Sequence, residues 1–192
     1  MGEGFTLNEK SLSELEAIFQ ELSSKLDKMH QYYSKDKKFD YPMMPKDELT
    51  PILKSNINPK KKKQMLLTQI GYARINLFTE YYELIQQARA NNELDKGAQF
   101  MNEYAETIVI PFISTKKQST TLNRIKEAIS RKKRRDPMEQ IQEWKTTYRA
   151  WLNHSKSVED FDQLKKSLIA LYTISFSVED FPPLRNKPSE LD

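Results

Sequence analysis

Apolar residues recur along this chain at the three- and four-residue spacing of helices, not at the alternating spacing of strands. Leu12, Leu15, Phe19, Leu22, Leu26, Met29 and Tyr33 draw one narrow seam, the pattern of a helix packed on a single partner. Ser11, with Glu14 three residues later, is the capping-box signature that starts this helix. The longest predicted helix opens at Pro59 with Asn58 as N-cap. Its seam is Leu66, Ile70, Ala73, Leu77, Tyr81, Leu84 and Ala88. Leu67, Phe78, Tyr82 and Ile85 add a second apolar edge about 100° round. An apolar face that wide predicts a central helix with several neighbours.

Further helices follow. Residues 93–110 carry Leu94, Phe100, Met101, Tyr104 and Ile108, and Pro111 is expected to end or kink that helix. Residues 119–134 place Leu122, Ile125 and Ile129 on one side. Asp136, Pro137 and Glu139 make a capped start for a helix with Met138, Ile141, Trp144, Tyr148 and Trp151 inward. Ser157 and Asp160 introduce a last helix with Phe161, Leu164, Leu168 and Leu171. The string Ser-Val-Glu-Asp-Phe at 157–161 returns at 177–181 as a reused capping signal, since its flanks do not repeat.

The expected fold is therefore all-α: a single bundle of about six helices around a long central one, with an N-terminal amphipathic helix and a short irregular C-terminal tail. The boundaries read as an N-terminal helix over 1–34, a linker over 35–47, a bundle domain over 48–176 and a Pro-containing tail over 177–192.

Composition removes several chemistries. The chain has no cysteine, so thiol nucleophiles, thiolate metal sites and disulfides are excluded. His30 and His154 are its only histidines, too few for a multi-histidine centre. Its four glycines fall at 2, 4, 71 and 97, which leaves no dinucleotide or P-loop fingerprint. No cofactor, metal or small-molecule substrate is expected. The longest uncharged stretch, 167–178, is short of the roughly 20 residues a bilayer requires. With no charged-then-apolar leader, the chain reads as intracellular, cytoplasmic or nuclear, with no membrane partner.

Charge is more informative than composition. The net charge is +4. Lys60, Lys61, Lys62 and Lys63 contribute four positive charges. Nine more basic groups fall within 116–135 (Lys116, Lys117, Arg124, Lys126, Arg131, Lys132, Lys133, Arg134 and Arg135) against Glu127 alone. The remainder of the chain is therefore net −8. An acidic body with two concentrated cationic patches attracts polyanions despite its modest total. The lysine run sits at a helix N-terminus, where cations oppose the helix dipole, so helix stability does not account for it. Lysines around such a terminus suit phosphate.

These features predict a non-catalytic nucleic-acid-binding protein that contacts the backbone of RNA or DNA largely without sequence preference. It would serve as an accessory or structural subunit of a larger assembly, with other subunits docking on the seam of the first helix. Tyr32 and Tyr82, each beside a seam tyrosine, are candidate stacking residues. Arg74, on the apolar edge one turn after Gly71, requires a carboxylate or phosphate partner. Two other functions compete. A protein–protein adaptor would present the basic patches, Pro42–Pro45 and Phe181–Leu184 to an acidic partner. An RNase would use Arg149 and His154, whose spacing over six residues resembles the arginine-x4-histidine motif of HEPN-type RNases. That resemblance implies a phosphate-stabilising arginine and an acid–base histidine, although Ala150 departs from the polar residue usual after the arginine.

Overall fold

The computed structural model describes residues 7–29, 43–113, 136–154 and 156–175. The expected helix over 119–134, the tail over 177–192, most of the linker and Tyr33 lie outside the described residues. Within them the protein is an all-α bundle of six α-helices: α1 (Leu12–Met29), α2 (Lys46–Lys54), α3 (Pro59–Ala90), α4 (Leu94–Tyr104), α5 (Pro137–Asn153) and α6 (Val158–Ile174).

The helix starts follow the local sequence. Ser11 Oγ accepts the Glu14 N–H at 3.3 Å, and Glu14 Oε1 accepts the Ser11 N–H at 3.2 Å, which closes the capping box. The second of these bonds holds the Glu14 carboxyl below its ordinary value. Asp136 caps α5 through the Met138 N–H at 2.8 Å, and Ser157 caps α6 through the Asp160 N–H at 3.1 Å. Asn92, at φ 57°, ends α3 in the left-handed region. The Asn92 N–H then reaches the Arg89 carbonyl and the Glu93 N–H the Ala88 carbonyl, a Schellman closure.

Three features depart from the expectations. The stretch assigned to the linker contains the start of α2, and Met44 donates its N–H to the buried Gln69 Oε1 at 2.6 Å. Pro51 lies inside α2 and Leu49 is that helix's one buried residue, so neither capping nor periodicity announces it. Met138 is 47% exposed, not inward, because it lies in the first turn of α5, one turn before the packed Ile141 and Trp144. The first-helix seam is buried within the chain: Leu15, Phe19, Leu22, Leu26 and Met29 pack against α3, so that seam is not open to another subunit. Before Pro111 the end of α4 widens into a π-turn over Ala105–Val109, then tightens into a 3-10 turn over Ile110–Phe112.

The central helix is buried on nearly every side from Leu66 to Ala88, as its wide apolar face predicts. Against it α4 runs antiparallel. The rings of Tyr81 and Tyr104 lie 5.1 Å apart, and Gly97 meets Ala88 about two turns on. Antiparallel α6 is held to α3 by four rungs. Arg74 reaches Ser175, Phe78 stacks on Tyr172 at 3.9 Å, Gln86 accepts from Lys165 at 3.2 Å, and Arg89 grips Asp162 at 2.8 and 2.9 Å. Trp151 meets Phe161 edge-on at 6.0 Å and ties α5 to α6.

Gly97 is where α4 can approach α6 so closely. A Cβ there would stand 2.7 and 2.8 Å from two ring atoms of Phe161, a fully buried side chain, and 3.2 Å from Ala88 Cβ. Gly97→Ala is expected to destabilise the fold by about 1–3 kcal/mol despite alanine's better helix propensity, read by urea or thermal unfolding. Hydrogen bonding to Arg89 holds the Asp162 carboxyl below its ordinary value. The stability from that rung is present above the unfolded carboxylate value and is lost as pH falls through the folded one. Asp162→Asn should therefore lower the melting temperature at neutral pH, and its difference from wild type should vanish on acidification.

Candidate nucleic-acid interface

The lysine run occupies the first turn of α3. Lys60 and Lys61 are exposed, whereas Lys62 and Lys63 are half-buried. Among the described residues no carboxylate pairs with Lys60, Lys61 or Lys62. The other five helices each carry an acid in the first turn: Glu14, Asp47 with Glu48, Asp95, Glu139, and Glu159 with Asp160. Only α3, among the six, has none. Each misplaced charge opposes the dipole by about 0.3–1 kcal/mol, so this terminus is arranged against its own stability.

The backbone half of a phosphate cradle is absent from this turn. Asn58 Oδ1 accepts the Lys60 N–H at 2.9 Å, and the Asn58 carbonyl accepts the Lys61 and Lys62 N–H groups at 3.0 and 3.2 Å. Pro59 has no N–H to offer. The cap satisfies the amides that an anion at this helix start would need, so ammonium groups alone present the positive charge. The Asn-Pro pair that announces the helix is also what closes it to backbone anion binding.

The other candidate residues are dispersed. Arg74 is 3% exposed. Its Nη1 and Nη2 donate to the Ser175 carbonyl and Oγ at 3.2 and 2.5 Å, and its guanidinium lies 4.2 Å from the centre of the Phe112 ring. A phosphate role for Arg74 is not what its burial serves: the cation meets the negative end of α6 and an aromatic face. Tyr82 is half-buried, and its hydroxyl accepts from Gln86 Nε2 at 3.2 Å. The basic residues Lys116, Lys117, Arg124, Lys126 and Arg131–Arg135, and Tyr32, lie outside the described residues.

Arg149 and His154 are both exposed, but α5 ends at Asn153. His154 is extended, at φ −125° and ψ 177°, and donates its N–H to the Ala150 carbonyl. Five helical positions correspond to about 140° of rotation, so the pair does not share one helix face. Among the described residues no three acidic or histidine side chains gather as metal ligands, and no helix is long and apolar enough to cross a membrane.

Lysine at this turn is tolerated because Asn58 anchors the helix start. Asn58→Ala is expected to destabilise the protein by about 1 kcal/mol, whereas Asn58→Asp should retain the cap and offset part of the lysine charge. Chemical denaturation of the two variants distinguishes these outcomes. No protein-family model matches the chain, and no curated protein or solved structure matches it.

Proposed function

We propose that this protein is a non-catalytic helical subunit that binds nucleic-acid phosphates, largely without sequence preference, within a larger nucleic-acid–protein assembly. The observation that carries this reading is the uncompensated cationic turn of α3. Among the described residues, three lysines without carboxylate partners stand at the positive end of a 32-residue helix whose five companions all follow the opposite charge rule. Such a field opposes the dipole of its own helix and complements a polyanion. Because the amides are capped, long ammonium side chains make the contacts. They act as point charges, which suits backbone tracking better than base recognition. The basic residues within 116–135 would add further phosphate contacts.

Fluorescence anisotropy against oligonucleotides of unrelated sequence, across a salt series, tests the proposal. Wild type is expected to bind them with similar affinity and a steep log–log salt dependence. Lys60→Gln with Lys61→Gln should flatten that slope by about 1.5 units, equivalent to two phosphate contacts. Absence of binding near ~50 mM salt would overturn the reading and turn attention to an acidic protein partner.

A further inference from the structure

An unpaired nucleotide presents a flat π-face, an edge of donors and acceptors, and an anionic phosphate. The α3–α6 seam brings a group suited to each onto one surface. Tyr82 is the half-buried ring of a cluster in which Phe78, Tyr81, Tyr104 and Tyr172 are all buried. Phe78, one turn earlier, supports it at 5.6 Å between centroids and 31° between planes. Gln86 lies one turn further along α3, and its amide donates to the Tyr82 hydroxyl. Lys165 arrives from α6, 79 residues beyond Gln86. Its ammonium donates to Gln86 Oε1 at 3.2 Å and stands 5.9 Å from the centre of the Tyr82 ring.

We infer that Tyr82, Gln86 and Lys165 form a contact for one unpaired nucleotide, so that the polyanion bound is single-stranded nucleic acid. The inference rests on the nucleic-acid reading above and narrows it. Duplex bases are already stacked and offer no free face, so this ring has nothing to gain from them. Lys165 lies at the outer limit of a cation–π contact on a flexible stem, and it can swing to a phosphate as a base takes its place over the ring. The amide of Gln86 matches a base edge without fixing which base, in keeping with sequence-tolerant binding. Lys60 and Lys61 lie about 32 Å away along the helix axis, so substitutions at one contact leave the other's geometry intact.

The test measures the full chain against three ligands of equal length: oligo-deoxythymidine, its abasic phosphodiester analogue, and a duplex. Wild type is expected to bind oligo-deoxythymidine about tenfold more tightly than the abasic chain. Tyr82→Leu should erase that preference while leaving the salt slope unchanged, and Tyr82→Phe should keep it. Each preference compares two ligands on one protein sample, so a loss of folded fraction cancels. The inference is overturned if wild type binds the abasic chain as tightly as oligo-deoxythymidine, or if Tyr82→Leu retains the preference. In either case steep salt dependence would leave the phosphate reading standing. Failure of wild type to bind any of the three ligands would overturn both.

Discussion

A guanidinium buried in the middle of a long helix must find oxygen atoms or a π-face, and in this protein much of the architecture answers that demand. Arg74 stands where α3 is closed off from water. A charged group moved from water without partners destabilises by several kcal/mol, far more than any surface ion pair here contributes. Its Nη atoms reach the carbonyl and hydroxyl of Ser175, the residue that caps α6, and the ring of Phe112 lies against it. Once Ser175 is fixed to Arg74, the register of α6 along α3 is set: Tyr172 falls on Phe78, Lys165 on Gln86 and Asp162 on Arg89.

Between the two helices α4 fills the remaining space. It approaches both closely because Gly97 has no side chain and because the π-turn at its end redirects the chain toward Arg74. The π-turn adds the residue that Pro111 makes awkward for a regular helix, and it delivers Ile108, Val109 and Ile113 to the core while Phe112 covers the guanidinium. The outer rung, Arg89 with Asp162, is partly exposed, so its contribution to stability is modest beside that of the buried rungs.

Much of this was legible in the residues, for local reasons. Caps and prolines act within four residues of where they stand, so Ser11 with Glu14, Asn58-Pro59, Asp136-Pro137 and Ser157 each marked a helix start. Seams are equally local, and the apolar positions of α1, α3 and α6 are buried as their spacing requires, apart from Leu12 and Tyr82, which are partly buried. The rungs between α3 and α6 were not legible, because each joins residues far apart in sequence and leaves no periodic trace. The residue types around Arg74 pointed to a carboxylate or phosphate, whereas the oxygens it reaches in Ser175 belong to the end of a helix a hundred residues away. The close fit of Gly97 against Phe161 and Ala88 likewise joins separate helices and leaves no local trace. The lysine run was visible as charge, whereas the capture of its amides by Asn58 became clear only with the hydrogen bonds in view.

The Arg74–Ser175 pair has a consequence for how the chain is held together. Its two residues are 101 positions apart. A contact that closes so long a stretch of chain is among the most non-local in the fold, so the helix that carries Ser175 is held by partners that no neighbouring segment supplies.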